Sequence, residues 1–287
     1  MRSKLGLLFG LLLAGCASTS VSAPRNAGER LPGLSGASGL QSDAGRYQAA
    51  PAAIAEFLLS LPTRDVLVPR ELRQRYLQGK AYVVEVALPQ GAADYLVIDQ
   101  NGPKFGFWLR SFQGSTPGVT GYLLQVRAAC GDIVGASFSE PAAEAQRICG
   151  QPRAEYVDSG LRAYRIVAGK APVDVTHTLA NPNKTLGGKR LQRYRALGAN
   201  AVAIDDSRLD RVPALRWVVE SDPEQPLPVD DERSFEAGGM AHGGFLVWTG
   251  DRFIVRDSVP RSLWPCAADD QAHCADPNND RFVTPGK

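Results

Sequence analysis

Phe105-Gly-Phe-Trp-Leu-Arg-Ser-Phe112 decides how the chain is read. At two-residue periodicity, Phe105, Phe107 and Leu109 fall on one face, and Trp108, Arg110 and Phe112 on the other. A strand apolar on both faces belongs between two layers. The other reading exposes an aromatic-plus-arginine patch, with Trp108, Arg110 and Phe112 as candidate partner contacts.

The same periodicity extends outward through Ala81–Leu88, Asp94–Asp99, Gly121–Ala129, Asp132–Phe138 and Arg162–Ala168, then Ala199–Ile204, Leu215–Glu220, Phe245–Thr249 and Arg252–Arg256. Clusters of Gly, Pro, Asn and Asp separate these β-branched and aromatic runs. Thr249-Gly250-Asp251 reads as a hairpin turn. Helical spacing precedes them. Ile54, Phe57, Leu58 and Leu61 lie at i, i+3, i+4 and i+7 between Pro51 and Pro62. A second helix runs from Pro69 to about Gln78, with Leu72 and Tyr76 on its apolar face, a Glu71/Arg75 pair and Gly79 after its end. Ser139–Ile148 reads as a short helix capped by Ser139. The expected fold is therefore α+β and β-rich, mainly antiparallel, with two N-terminal helices and one short mid-chain helix.

The chain ahead of this domain is different. Arg2 and Lys4 form a positive start, and Leu5–Leu13 is an apolar run of nine residues, too short to span about 30 Å of hydrocarbon. It ends in Leu13-Ala14-Gly15-Cys16, which resembles the lipobox of bacterial lipoproteins. The resemblance covers residues 1–16. It implies cleavage before Cys16 and acylation of that cysteine by diacylglycerol and palmitate, several chains giving an anchor that one chain does not. Ala17 and Ser18 follow, so the aspartate of inner-membrane retention is absent, and the resemblance implies an outer-membrane lipoprotein facing the periplasm. Residues 16–50, rich in Ser, Gly, Ala and Pro, read as lipidated cysteine plus flexible tether. Such a segment reaches about 30–35 Å as a random coil. Residues 51–287 then form one globular domain, with a sub-boundary near 170–190 as the alternative.

Charge narrows the function. The 287-residue chain carries 32 basic and 30 acidic residues. Removing residues 1–15, which hold Arg2 and Lys4, leaves a balanced mature chain. That balance argues against a nucleic-acid role and against recruitment by anionic lipid. Of five cysteines, Cys16 is assigned to lipid, and Cys130, Cys149, Cys266 and Cys274 remain. Among the three pairings, the sequence-local Cys130–Cys149 and Cys266–Cys274 is preferred, each bridge contributing about 2–3 kcal/mol by loop entropy.

Catalytic signatures are sparse. HExxH, the P-loop, GxGxxG and the serine elbow GxSxG do not occur. His242-Gly243-Gly244 reads as a glycine-rich loop before a strand, and His177 lies near Asp174 as a weak candidate base. The acid pairs Asp205-Asp206, Asp230-Asp231 and Asp269-Asp270 read as exposed turns. Asp276-Pro277-Asn278-Asn279-Asp280 has the alternating oxygens of a calcium loop, but Arg281 replaces its glycine and Lys287 its final glutamate. No metal or cofactor is therefore expected. Lys189, Arg190 and Arg193, with Arg195, form a basic run that reads as a solvated face or a contact for an acidic partner. The expectation is a lipid-anchored envelope protein with a non-catalytic, protein-binding periplasmic domain, such as an immunity, inhibitor or assembly accessory. The alternative is an envelope hydrolase using a carboxylate pair or a His/carboxylate site.

Overall fold

A computed structural model describes residues 45–87, 93–99, 105–114, 116–179, 199–205, 208–209, 212–221, 240–266, 271–276 and 280–285. Two antiparallel sheets stack between a helical layer and a C-terminal cap. The first sheet contains β1 (Gly45–Gln48), β2 (Ala81–Ala87), β3 (Ala93–Asp99), β4 (Gly106–Gln113), β5 (Val119–Ala129), β6 (Tyr156–Asp158), β7 (Arg162–Val167) and β8 (Val173–Asp174). Its order is β1-β2-β3-β4-β5-β7-β8, with β6 also paired to β5. The second sheet, in the order β12-β11-β10-β9, contains β9 (Ala199–Ile204), β10 (Leu215–Ser221), β11 (Met240–Trp248) and β12 (Phe253–Arg256). A parallel pair, β13 (Val259–Pro260) and β14 (Val283–Thr284), completes the cap.

Alternation within the first sheet sorts its side chains between two cores. Val83, Val97, Phe107, Leu109, Leu124 and Val126 face α1 (Ala52–Ser60), α2 (Thr63–Val66), α3 (Arg70–Gln78) and α4 (Ala143–Cys149). Tyr82, Val84, Leu96, Ile98, Trp108 and Phe112 face the second sheet, meeting Leu215, Trp217, Leu246, Trp248 and Phe253. Burying each large apolar side chain contributes about 1.5–3 kcal/mol, so a sheet covered on both faces supplies most of the driving force. Behind the second sheet, Val212, Phe245, Val259, Trp264, Phe282 and Val283 form a third cluster.

The two sheets touch closely at Gly121. A Cβ there would lie 2.7 Å from the Trp248 ring, so glycine is what lets the indole rest on β5. In the second sheet, the register shifts between Trp217 and Val218, opposite Gly243 and Gly244. Gly244 has φ 114°, and a Cβ on Gly243 would lie 2.9 Å from the Trp217 carbonyl oxygen. The His-Gly-Gly run is thus a bulged segment inside β11 and not a loop before it.

The N-terminal helices lie where expected, with Ile54, Phe57, Leu58, Leu61, Leu72 and Tyr76 all buried. Arg73 holds this layer together. Arg73 is 2% exposed, and its guanidinium donates to the carbonyls of Leu58, Leu61 (2.6 Å) and Val68 (3.0 Å), satisfying acceptors around the ends of α1 and α2.

Several details differ from expectation. The single turn α2 and a five-residue helix α5 (Gln271–Ala275) were not anticipated. β1 pairs with β2, so the first sheet takes in Gly45–Gln48, which the sequence reading assigned to the tether. Asp132–Phe138 is not a strand. Cys130–Asp132 is a 3-10 turn, Ile133 and Val134 both donate to the Cys130 carbonyl, and Gly135 has φ 77°. The mid-chain helix begins at Ala143, after Pro141, which disfavours helical geometry at Glu140. Ser139 therefore does not cap it. Ser139 Oγ and N donate to Glu71 Oε1, at 2.5 and 2.8 Å. With Glu71 so engaged, Arg75 pairs with Asp132 at 3.6 Å. Both local disulfides, Cys130–Cys149 and Cys266–Cys274, are present.

Candidate functional site

An open groove of about 470 Å³ lies where the β7/β8 end of the first sheet meets the β11–β12 hairpin. Val175 and Phe253 are buried beneath it, and Arg165, His177, Asp251 and Arg252 line it. Local chemistry positions each wall. Asp174 Oδ1 accepts the Thr176 N–H at 2.7 Å, and Thr176 Oγ1 accepts the Ala163 N–H at 3.0 Å, so the turn carrying His177 is pinned to β7. Thr178 Oγ1 donates to the Val175 carbonyl and accepts the Phe253 N–H at 3.3 Å, linking the two sheets under the groove. The hairpin turn is closed by Thr249, whose N–H and hydroxyl both donate to the Arg252 carbonyl. Gly250 there takes φ 91°, as the Thr-Gly-Asp signal predicts.

Across the groove, Arg165 Nε lies 3.3 Å from Asp251 Oδ1, with the Asp251 side chain 71% exposed. The pair has ion-pair distance without hydrogen-bond alignment, and among the described residues the buried Arg165 Nε has no acceptor. His177 is exposed and has no hydrogen bond or ion pair with a described residue. Its neighbour Asp174 is used by Thr176 and lies 3.8 Å from Arg162, so these two do not form an oriented base–carboxylate pair.

The expected aromatic-arginine patch is not a surface. Trp108, Arg110 and Phe112 are 1%, 0% and 2% exposed, because the second sheet and the segment around Leu209 and Val212 cover them. Arg110 donates to the Leu209 and Val212 carbonyls at 2.7 and 2.9 Å and lies 3.6 Å from Asp94. Burial pushes the Asp94 carboxyl up to about 6, outweighing the opposing effects of Arg110 and of the Gln113 N–H it accepts.

A second buried polar cluster lies on the far side of the second sheet. Arg216, fully buried, grips Asp280 through both terminal nitrogens and donates from Nε to His242 Nδ1 at 3.1 Å. His242 Nε2 is 2.8 Å from the Asp257 carbonyl, so the ring accepts at Nδ1 and donates at Nε2, the neutral tautomer. Its ring stacks on Phe282 at 3.8 Å. Burial lowers the Arg216 pKa, opposed by Asp280. Asp280 is thereby a structural counter-ion and not one arm of a calcium loop. Asp205, read as an exposed turn acid, is 4% exposed. Among the described residues, no group of three or more His, Cys, Asp or Glu side chains is arranged to hold a metal. Cys16, Lys189, Arg190 and Arg193 lie outside the described residues, as do Asp206, Asp230-Asp231 and Asp269-Asp270.

Sequence reasoning found His177 and the hairpin but missed Arg165 and Arg252 as partners in one groove. Only the packing of the two sheets brings β7 and the hairpin together. The chain matches no protein-family model, no curated protein and no solved structure.

Proposed function

We propose that the protein is a lipid-anchored component of the bacterial cell envelope whose periplasmic domain recognises a protein partner, as an immunity, inhibitor or assembly accessory protein does. The observation that carries the anchoring is Leu13-Ala14-Gly15-Cys16 behind a basic start and a short apolar run. The two disulfides agree with an oxidising compartment. The groove supports recognition, because it joins a buried apolar floor to charged walls. The basic run at Lys189, Arg190 and Arg193 is a second candidate contact.

The test has two parts. Cys16→Ser should abolish palmitate incorporation and leave the precursor uncleaved; continued incorporation would remove the anchor assignment. Cross-linking in intact envelopes, followed by capture and mass spectrometry against the Cys16→Ser control, should give one stoichiometric protein partner. Capture of none, with anchoring intact, would shift the reading to a small-molecule or polymer ligand.

A further inference from the structure

We infer that the groove between β7 and the β11–β12 hairpin binds an acidic segment of a protein partner, a side-chain carboxylate entering between Arg165 and Arg252 and an adjoining apolar side chain resting on Phe253 and Val175. The inference deepens the binding role proposed above and rests on it.

The lining is unbalanced in charge. Two guanidiniums, Arg165 and Arg252, face one carboxylate, Asp251. Arg252 makes no side-chain hydrogen bond or ion pair with a described residue. Among the described residues, Asp251 alone lies at ion-pair distance from Arg165, and the buried Arg165 Nε has no hydrogen-bond acceptor. A buried donor without an acceptor carries a desolvation cost that an incoming oxygen relieves. A guanidinium receives a carboxylate through two parallel N–H bonds, which the single contact with Asp251 does not provide. Asp251 thus occupies part of the place of the ligand carboxylate. It is 71% exposed on a turn, where it is easily displaced.

The floor adds the second requirement. Phe253 is 1% and Val175 7% exposed, so the apolar surface offered at the bottom is small, with room for one modest side chain. The volume, about 470 Å³, falls within the range of small-ligand sites, roughly 300–1,000 Å³. It holds a few residues and not a long helix. Val173 of β8 stands 53% exposed at the rim, where an extended peptide would lie beside the last strand of the sheet. Neutral, purely apolar ligands would leave both guanidiniums facing the ligand without acceptors.

Full-length protein in detergent micelles is titrated against a fluorescein-labelled, end-capped Leu-Glu-Leu-Glu peptide and its Leu-Gln-Leu-Gln counterpart, read by anisotropy. The Glu peptide should bind about tenfold more tightly than the Gln peptide, the discrimination of a charge-assisted pair. Arg165→Gln and Arg252→Gln should each remove most of that discrimination. Asp251→Asn, which removes the internal competitor, should tighten Glu-peptide binding severalfold. Arg252→Gln lies on an exposed turn, so its result stands even if Arg165→Gln unfolds the domain. Equal binding of the two peptides, or an Arg252→Gln variant indistinguishable from the parent, overturns the inference. Inorganic phosphate displacing the peptide at lower concentration than free glutamate also overturns it, in favour of a phosphate-bearing ligand. An envelope partner captured equally by the parent and by Arg252→Gln sinks the groove while leaving the binding role intact. Glu-peptide binding that needs Arg252, with no envelope partner captured, supports the groove and counts against the partner.

Discussion

Glu71 and Ser139 are 68 residues apart, yet one carboxylate oxygen of Glu71 accepts both the N–H and the hydroxyl of Ser139. The next residue returns the arrangement. Glu140 Oε2 accepts the N–H and hydroxyl of Thr63, at 3.1 and 2.6 Å, at the start of α2. Two adjacent residues of the 139–140 segment thus tie it to two helices, one as donor and one as acceptor. The bonds hold both carboxyls below the usual glutamate range, chiefly through the Ser139 and Thr63 side chains.

This pairing sets an acid limit. A lowered folded pKa means stability present at neutral pH and lost as pH falls through the folded values, below about 4.5. The double variant Glu71→Gln/Glu140→Gln should lose about 1–2 kcal/mol at pH 7. Its deficit relative to the parent should shrink below pH 4 in denaturant melts. A deficit that is constant with pH would show that the charges do not matter.

Asp94 acts in the opposite sense. Its folded pKa, raised by burial to about 6, lies above its ordinary 3.8, so the folded state holds the proton more tightly than the unfolded chain. Stability from this group therefore increases as pH falls from 7 towards 4 and is lost as pH rises through 6. Relative to Asp94→Asn, the parent should gain thermal stability between pH 7 and pH 5. If the two melting temperatures keep the same difference across that range, the assignment fails.

Gly121 should not tolerate a side chain. The Cβ of Gly121→Ala would meet the Trp248 ring at 2.7 Å, between two sheets that cannot separate locally. A loss of about 2–3 kcal/mol is expected from overpacking. Adding Trp248→Leu should recover part of it, measurable as a double-mutant cycle. Strict additivity would show that Gly121 matters for another reason.

Arg73 ties the helical layer together through buried hydrogen bonds. Arg73→Met keeps much of the side-chain volume but leaves the Leu58, Leu61 and Val68 carbonyls without their shared donor. A loss of about 3 kcal/mol or more is expected, since several buried acceptors are orphaned together. Hydrogen exchange should rise first in α1 and α3. A loss under ~1 kcal/mol, within the range of one ordinary hydrogen bond, would mean that water replaces the guanidinium.

Local pattern made much of the fold legible. Phe107 and Leu109 alternate with Trp108, Arg110 and Phe112 at period two, so a strand followed from side-chain geometry alone, while that geometry left open whether its second face is buried or offered as a patch. The helices around Leu58 and Leu72 followed from their spacing and their flanking prolines, and the two disulfides from the short loops they close. These are local preferences, set within a few residues. The role of Arg110 was not legible, because an arginine beside two aromatics suits a surface patch and a buried polar layer equally. The carbonyls of Leu209 and Val212, about a hundred residues away, settle it.

The sequence by itself determined the strand and helix periods, favoured the pairing of nearby cysteines, and carries in Leu13-Ala14-Gly15-Cys16 a resemblance to a lipobox. The tertiary structure alone decided which charges are enclosed and which are offered. Arg110 and Arg216 are held inside because distant carbonyls and Asp280 come to their terminal nitrogens. Arg165 and Arg252 stand at an open groove because two sheets meet there without covering them. A residue type specifies what a side chain needs, but long-range packing decides whether the chain itself meets that need.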